Sequence, residues 1–286
     1  MNILSFDLED WYQLVHRRIT GDLPPVRSSL VRQMSVITDM LAKTNTKATF
    51  FVLGTVAEQF PRLIQDLAAC GHEIACHGYG HWRVDHLTRP LFHEDTRKAK
   101  DIIEQVLQVP IYGYRAAEFS IQRNNLWALE VLAELGFEYD SSIFPIRHSR
   151  YGISDFAPQP GRYCLPNGLK IVEVPLATLK TAGIRLPVAG GGYFRLFPLW
   201  FLKRSMSAMD KQQASAVTYF HPYEFDPRQL DIFQILREPN FKARMSGWRF
   251  NLRFNLCRAG VADKLAALLW QYPFTTCQEY LAHARL

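Results

Sequence analysis

The sequence predicts an α/β fold with a parallel sheet. Short apolar segments alternate along the chain with longer segments of helical period, and this alternation is typical of β/α architecture. The 286 residues are enough to bury one large core. The chain has no Pro/Ser-rich linker, internal repeat or low-complexity tract, so we expect a single domain spanning residues 1–286.

The N-terminal half contains the clearest alternation. Strands are marked by runs of β-branched and aromatic residues, and helices by apolar residues three and four positions apart. Ser28 or Ser29 suits a helix start, and Gly71 and Gly136 suit helix ends. We predict strands at residues 2–6, 48–52, 73–76, 111–114 and 137–139, and helices at 29–42, 56–70, 93–108 and 125–135.

The second half is less regular. We predict strands at residues 169–174 and 216–220, with a helix at 198–209 between them. Residues 241–258 combine basic and aromatic side chains without a clear period. This stretch is interpreted either as a solvated helix face or as a contact with an anionic membrane near a lipid-linked glycan.

Composition excludes several classes of protein. The 33 Lys and Arg against 27 Asp and Glu give a net charge of +6, but the basic residues are scattered, so we expect no nucleic-acid partner. Five cysteines without a C-x-x-C pair fit a reducing compartment. The first residues lack the basic and apolar regions of an export signal, and no apolar run would span a membrane. We therefore expect a cytoplasmic protein.

Polar residues follow the predicted strands at equivalent positions. Asp7, His77, Arg115 and His221 each lie at or just beyond the carboxyl end of a predicted strand. In β/α barrels, side chains from separate strands converge at that rim to form the active site. Any one of these residues would be unremarkable as a structural group, but the four together predict a catalytic site.

Two histidines near this rim suggest a metal site. His77 and His81 are four residues apart, so both rings would lie on one face if the chain turns helically after the strand. The four-residue spacing alone is weak evidence for a metal site, because the neighbouring His72 and His86 make the region rich in histidine. A carboxylate cluster at residues 7–10 strengthens the hypothesis, since two imidazoles and one carboxylate leave a position open for water, as in hydrolytic zinc sites.

These stretches resemble the NodB-homology polysaccharide deacetylases, carbohydrate esterase family 4, and in particular the subfamily found with bacterial exopolysaccharide loci of the exosortase type. The matching motifs, spread in order over most of the chain, are SFDLEDW (5–11), TFFVLG (49–54), GHEIACHGYGH (71–81), GYRA (113–116), YDSSIFP (139–145), LPVAGGGYFR (186–195) and FHPYE (220–224). The resemblance implies a distorted seven-stranded (β/α) barrel, with a core at about residues 3–225 and a C-terminal extension at 226–286.

The resemblance also implies roles for individual residues. Asp7 would be the general base, His77 and His81 metal ligands, Arg115 the residue that orients the base, and His221 the general acid. Where many members have two adjacent aspartates, Leu8 follows Asp7 here. The carboxylate ligand is then Glu9 or Asp10; Glu9 is favoured because an Asp-x-Asp/Glu arrangement occurs in related deacetylases, and Asp10 stays open.

Other positions depart from the family pattern. Ala117 and Glu118 follow Arg115–Ala116 where a proline is usual at position 117, which places substrate preference in question. The carboxylate partner of His221 has no secure match, and Asp140 and Glu173 are both candidates. The metal would be Zn²⁺ in the first instance, with Co²⁺, Ni²⁺ or Fe²⁺ compatible with the same ligands.

Aromatic residues suggest where a sugar would bind. Phe119, Tyr193 and Trp11 are candidates for stacking on sugar rings, or alternatively for filling the barrel top. The glycines at 190–192 would either allow close approach of a substrate or form a turn. Phe119 and Tyr193 are retained as predicted substrate-binding residues.

The predicted function is removal of N-acetyl groups from a sugar of a bacterial exopolysaccharide or its lipid-linked precursor. One alternative is an O-acetyl esterase, or a deformylase or amidase acting on a small or lipid-linked substrate. Another is a catalytically silent carbohydrate-binding barrel. The expected partner is an acetylated glycan or lipid-linked oligosaccharide. Because no export signal is evident, a cytoplasmic precursor and peripheral contact with the inner membrane are expected; the sequence does not indicate an oligomeric state.

Overall fold

A curled sheet, with its strands parallel except at one edge, organises the protein. The computed structural model describes residues 1–181, 183–188, 190–212, 217–226, 228–235 and 241–286. Among these residues, nine strands form one sheet in the order β10-β1-β2-β3-β4-β5-β7-β6, with β11 paired to β1, and β8 and β9 form a separate hairpin. The strands are β1 (Asn2–Leu8), β2 (Thr49–Val52), β3 (Glu73–Cys76), β4 (Gly113–Tyr114), β5 (Tyr139–Asp140), β6 (Gly161–Cys164), β7 (Lys170–Glu173), β8 (Thr178–Thr181), β9 (Ile184–Pro187), β10 (Val217–Phe220) and β11 (Phe274–Thr275).

Helices connect the parallel strands, as the alternation of the sequence predicts. Among the strands in the described part of the chain, only β6 of this sheet runs antiparallel to its neighbour, β7, while β1, β2 and β3 pair in parallel register. The helices are α1 (Trp11–Thr20), α2 (Ser29–Lys43), α3 (Gly54–Gln59), α4 (Pro61–Ala69), α5 (Arg89–Leu107), α6 (Trp127–Glu134), α7 (Gly191–Leu196), α8 (Leu199–Lys211), α9 (Phe241–Asn255), α10 (Val261–Leu269) and α11 (Cys277–Ala284). The expected α/β fold is confirmed as one domain with a curled half-barrel of parallel strands.

Most predicted elements are present, with one correction and several additions. The single helix predicted at residues 56–70 is wrong, because Pro61 starts a new helix, α4, and Phe60 before it has a non-helical φ of −129°. A proline inside a helix removes a hydrogen bond and clashes with the preceding turn. The stretch after residue 240, left without an assignment, forms α9. Ala216, predicted in a strand, lies outside the described residues.

The two faces of β1 explain how the fold positions a site. Phe6 packs outward against Phe50 and Phe220, with ring centroids 5.1 and 6.0 Å away. Ser5 and Asp7 point to the opposite face, toward the inside of the curl, where both accept hydrogen bonds from Arg115. Successive residues of a strand alternate between its faces, so this strand supplies core on one side and polar chemistry on the other.

Residues beyond position 226 are part of the same sheet and core. Strand β11 pairs with β1, and the backbone of Cys277 donates to Thr49 Oγ1 over 2.8 Å at the start of α11. Among the described residues, no helix is both long and apolar enough to cross a bilayer.

Candidate active site and metal centre

The structure brings the predicted polar residues to one end of the curled sheet. Asp7 lies near the end of β1, His77 directly follows β3, Arg115 directly follows β4, and His221 directly follows β10. Asp7, His77 and His221 line a cleft of about 1760 Å³, and Arg115 lies buried behind Asp7. This is the end at which parallel α/β sheets bind ligands.

Three side chains in this cleft form a cluster suited to a metal ion. Ligand atoms of Glu9, His77 and His81 all lie within 4.8 Å of one another, and all three residues are buried. Glu9 Oε2 is 2.9 Å from His81 Nε2 and 3.5 Å from His77 Nε2. Two imidazoles and a carboxylate are the donor set of several hydrolytic zinc sites, which keep one position open for water.

The hydrogen bonds around the cluster fit a cation between these atoms. His77 Nδ1 lies 2.7 Å from the carbonyl oxygen of Arg115, and a carbonyl only accepts, so Nδ1 carries the proton. In the tautomer of the neutral ring that carries this proton, the Nε2 lone pair faces Glu9, whose buried Oε2 makes no hydrogen bond. Two acceptors facing each other in a buried site need a proton or a cation between them.

The pKa of Glu9 agrees with this electrostatic setting. Burial alone would raise the pKa of the carboxyl group. The neighbouring imidazoles of His81, His77 and His221 outweigh burial and hold the pKa of Glu9 well below its usual range. The carboxylate is therefore ionised and available as a ligand.

His81 reaches the cluster by a loop and not by the helical turn that the four-residue spacing suggested. Gly78 and His81 have φ values of 77° and 57°, so the chain after β3 is not helical. Asp95 fixes this loop by accepting from the backbone amides of Tyr79 and Gly80, at 2.9 and 3.3 Å. The two imidazole rings still meet, with centroids 5.3 Å apart.

Asp10 lies apart from the cluster, and a helix start explains its position. Its carboxylate caps α1 by accepting from the amide of Tyr12 at 3.1 Å, and it also accepts from the amide of Arg27 at 2.8 Å. Burial raises the pKa of Asp10 to about 6. Of the two carboxylates that the sequence left open as metal ligands, the geometry brings Glu9 to the histidines and commits Asp10 to capping.

Asp7 is held by a buried arginine. Arg115 is fully buried, and its Nη1 donates to Asp7 Oδ1 at 2.7 Å and to Ser5 Oγ at 2.9 Å. Its remaining donors reach Ser141, whose backbone oxygen and Oγ lie 3.0 and 2.9 Å away. The guanidinium also lies 3.9 Å from the ring centre of Phe51. Arg115 thus joins β1, β2 and the end of β5 and fixes the orientation of the Asp7 carboxylate.

His221 reaches the Glu9, His77 and His81 cluster from the end of β10. Its Nδ1 donates to Glu224 Oε1 at 2.8 Å, and its Nε2 is 3.4 Å from Glu9 Oε1 and 4.0 Å from Asp7 Oδ2. Burial would lower the pKa of His221, but the bond to Glu224 and the charges of Glu9 and Asp7 outweigh it and raise the pKa to about 9. A protonated imidazole at the mouth of the cleft can donate a proton to a leaving group.

Glu224 is the carboxylate partner of His221, and the candidates Asp140 and Glu173 were wrong. These two carboxyl groups are buried behind Arg115, where Ser142 donates to Asp140 and the amide of Ile143 donates to Glu173 at 2.9 Å. Burial and the charge of Asp140 raise the pKa of Glu173 well above its usual range. Glu224 was missed although it is three residues from His221, a spacing that brings side chains together in a 3₁₀ turn.

The predicted sugar-stacking residues have different surroundings. Phe119 is only 6% exposed and packs edge-on against Tyr219 with centroids 4.7 Å apart, so little of its ring faces the cleft. Tyr193 is half-buried and lines the cleft. Trp11 is buried in a separate apolar cluster around Tyr223. Within the glycine run, Gly190 bridges to Tyr219 of β10, whereas Gly192 is exposed and lines the cleft.

Glu118, which follows the departure from the family pattern at Ala117, lies among arginines at the cleft wall. Glu118 forms ion pairs with Arg18 at 3.0 Å, with Arg83 at 3.1 Å and with Arg150. Its φ of 53° turns the chain sharply after Arg115. No sequence pattern indicates this cluster, because its members come from four distant segments.

Comparison with known proteins adds independent information. Residues 28–139 match the family model for polysaccharide deacetylase, and residues 141–282 match a domain of unknown function, DUF3473. A peptidoglycan-N-acetylglucosamine deacetylase of Bacillus cereus is 33% identical over 95 residues, which make up 33% of this chain and 34% of that protein. A chitooligosaccharide deacetylase of Bradyrhizobium sp. is 29% identical over 97 residues, or 34% of this chain and 42% of that protein.

The matches to the two deacetylases each span less than half of the length of those curated relatives. A solved structure from Mycobacterium smegmatis, assigned to the polysaccharide deacetylases, superposes with a TM-score of 0.63 at 19% identity, covering 99% of this chain and 89% of that one. That similarity shows the fold. Together the family model and the two curated relatives support a polysaccharide deacetylase domain in this chain.

Proposed function

We propose that the protein is a metal-dependent hydrolase that removes N-acetyl groups from a sugar of a bacterial exopolysaccharide or its lipid-linked precursor. The observation that carries the proposal is the convergence of three groups in one cleft. These are the Glu9, His77 and His81 cluster, the Asp7–Arg115 pair, and the His221–Glu224 pair. The relatives named as deacetylases of N-acetylated glycans point to the same substrate class.

The resident metal in this proposal is one divalent ion held by Glu9, His77 and His81. Zn²⁺ is the first choice for two imidazoles and a carboxylate, and Co²⁺, Ni²⁺ and Fe²⁺ suit the same donors. A divalent ion held there would supply Lewis acidity to an acyl oxygen and would lower the pKa of a bound water. The unpartnered, buried Glu9 Oε2 supports the fit.

The remaining residues divide the proton transfers between them. Asp7 acts as the general base that accepts a proton from the attacking water, and Arg115 fixes its carboxylate for that role. His221, with Nδ1 bonded to Glu224, donates its Nε2 proton to the departing nitrogen. An amine leaves poorly without that proton, so His221 matters more for an amide than for an ester. Tyr193 and the exposed edge of Phe119 would contact the sugar.

The place of action is part of the proposal. A lipid-linked precursor on the cytoplasmic side of the inner membrane would bring the substrate to a peripherally bound enzyme. Residues 1–286 would act as one domain, with the part beyond residue 225 completing the sheet and the cleft wall.

Metal content of matched variants tests the proposal at its first step. We expect near-stoichiometric metal, by mass spectrometry, in the parent protein purified without chelator and in Asp10→Asn. Glu9→Gln, His77→Ala and His81→Ala should each lose it. Asp10→Asn is the matched control, since it removes a neighbouring carboxylate that caps α1. Metal that survives all three ligand changes, or a parent protein that cannot be loaded, would contradict the proposal.

Product analysis tests the reaction itself. The metal-loaded protein should release acetate from an N-acetylated oligosaccharide and leave a free amine. Comparison with O-acetylated saccharides and with formamido sugars separates amide hydrolysis from ester hydrolysis and deformylation. Release of acetate from esters alone would favour the O-acetyl esterase, and saccharide binding without turnover would favour the silent barrel.

A further inference from the structure

Helix α9 has one face buried and one face exposed, and the exposed face is unusual in composition. On the inner side, Phe254 and Phe250 pack with Leu230, Ile232 and Ile235. Asn255 exchanges two hydrogen bonds with the backbone of Leu230, at 2.8 and 2.9 Å. The helix is therefore anchored on one side, and the other side needs a separate explanation.

The exposed side, here called the α9 outer face, combines apolar residues with arginines. At 100° per residue these positions fall on one side of the helix and its final turn. Trp248 is 56% exposed and Leu252 is 48% exposed. The members of the α9 outer face are Met245, Trp248, Arg249, Leu252, Arg253 and Leu256, all of them exposed.

The charge of this segment has one sign. The sequence of α9 contains four basic residues, Lys242, Arg244, Arg249 and Arg253, and no aspartate or glutamate. A solvated helix face normally mixes charges of both signs and keeps large apolar side chains out of water. A helix with Trp and Leu beside arginines, without acids, is the type that lies in the interface of an anionic bilayer.

The outer face is continuous with the catalytic cleft. Trp248, Arg249, Leu252, Arg253 and Leu256 all line the wall of the cleft that contains Asp7, Glu9 and His221. Exposed Leu196, at the end of α7, extends the apolar rim of the same cleft. Whatever covers the α9 outer face therefore lies at the entrance of the active site.

We propose that the α9 outer face docks on an anionic lipid bilayer. Trp248 and Leu252 enter the headgroup region, Arg249 and Arg253 contact lipid phosphates, and the mouth of the cleft faces the bilayer. A sugar attached to a membrane lipid then reaches the metal cluster without leaving the surface. Docking itself does not depend on the deacetylase proposal, whereas this consequence does.

Vesicle co-sedimentation of the metal-loaded protein, residues 1–286, tests the docking. The probes are vesicles of phosphatidylcholine alone and of phosphatidylcholine with phosphatidylglycerol. We expect binding to the anionic vesicles that weakens as salt is added. The double change Trp248→Ser and Leu252→Ser should lower the partition coefficient about tenfold or more. The double change Arg249→Gln and Arg253→Gln should reduce binding and flatten its salt dependence.

Matched controls lie elsewhere on the surface. Trp270→Ser removes a tryptophan that is 71% exposed and does not line the cleft, and Arg62→Gln with Arg97→Gln removes two exposed arginines from α4 and α5. Both controls should bind vesicles like the parent. If the double apolar variant fails to fold, quenching of tryptophan fluorescence by brominated lipid, compared between the parent and Trp248→Phe, makes the same test.

Three results would overturn the docking proposal. The first is absence of binding to anionic vesicles, and the second is binding that survives both double changes. The third is a dimer, seen by light scattering, that the Trp248→Ser and Leu252→Ser change dissociates, because the occupant would then be a second copy of the chain. His77→Ala should bind vesicles normally, so failure of docking and failure of the deacetylase proposal are separate results.

Discussion

His221 Nδ1 donates to Glu224 Oε1 at 2.8 Å, and both residues belong to one short segment that follows β10. This bond fixes the orientation of the His221 ring and leaves Nε2 facing the carboxylates of Glu9 and Asp7. The acid of the proposed reaction and the group that orients it are therefore delivered by a single 3₁₀ turn.

Glu224→Ala should lower kcat on an N-acetylated substrate by about ten- to a hundredfold, because a hydrogen-bonded partner of an active-site group typically contributes that much. Glu224→Gln keeps an acceptor for Nδ1 and should lose less. In the double variant with His221→Ala, the effects should not add, since both changes act on the same proton donor. Additive losses, measured by steady-state kinetics, would contradict the assigned partnership.

Asp10→Ala should reduce the free energy of unfolding without loss of metal. Removing a helix cap costs about 1 kcal/mol, and up to about 2 kcal/mol where the cap is buried, as Asp10 is. Urea unfolding followed by circular dichroism gives the stability, and mass spectrometry gives the metal content. Loss of metal with unchanged stability would mean that Asp10 and not Glu9 is the ligand.

Arg115→Met should destabilise the protein by about 3–5 kcal/mol, because it leaves the buried carboxylate of Asp7 without its cation. Adding Asp7→Asn removes the uncompensated charge, so the double variant should recover part of the lost stability. Thermal unfolding of the two single variants and the double variant measures this coupling. Equal stability of Arg115→Met and the double variant would show that the ion pair is not the main role of Arg115.

Glu173→Gln tests the buried carboxyl pair through pH. The pKa of Glu173 is raised in the folded state, so its contribution to stability is complete below the pKa of the unfolded chain and is lost as pH rises through the folded pKa. The glutamine amide can donate to Asp140 at every pH. The stability of the variant relative to the parent should therefore increase as the pH rises from about 4, near the ordinary pKa of glutamate, to about 8. A constant difference in urea midpoints would mean that Glu173 is ionised in the fold.

Gly190→Ala should destabilise the protein, and Gly192→Ala should have little effect. A Cβ on Gly190 would lie 1.9 Å from the carbonyl oxygen of Tyr219, and its φ is +138°. The nearest atom to a Cβ on Gly192 is the Nη2 of Arg195, 3.7 Å away. We expect a cost of about 1–3 kcal/mol for Gly190→Ala from overpacking alone. Equal melting temperatures for the two variants would contradict the close approach of Gly190 to β10.

The ends of the strands were predictable from the sequence, because each strand is marked by a short apolar run of neighbouring residues. The alternation of these runs with helical segments predicts a parallel sheet. Asp7, His77, Arg115 and His221 all lie where that argument places them. The conformation between His77 and His81 was not predictable from spacing, because Asp95 of a later helix fixes the loop. The choice of His221 partner failed for a similar reason, since burial of Asp140 and Glu173 depends on how β5 and β7 pack behind Arg115.

The arginines around Glu118 illustrate a second limit of sequence analysis. Arg18, Arg83 and Arg150 are far apart along the chain, and only the folded sheet brings them to one carboxylate. Capping, in contrast, is local, yet Asp10 was still left open as a metal ligand. A carboxylate that follows a strand and precedes a helix fits the pattern of a metal ligand and also that of a helix cap. Only the direction of its side chain in the folded protein distinguishes the two roles.

The pairing of β1 has a consequence for how the protein is made. Ser5 of β1 donates to the backbone of Thr218, 213 residues later in the chain, and β1 also pairs with β11. During synthesis, the edges of β1 that receive β10 and β11 stay unpaired until those strands leave the ribosome, and parallel pairing over such distances is slow. An incomplete chain would expose an apolar strand edge prone to aggregation. Asp7 and His221 would meet only after that long-range closure.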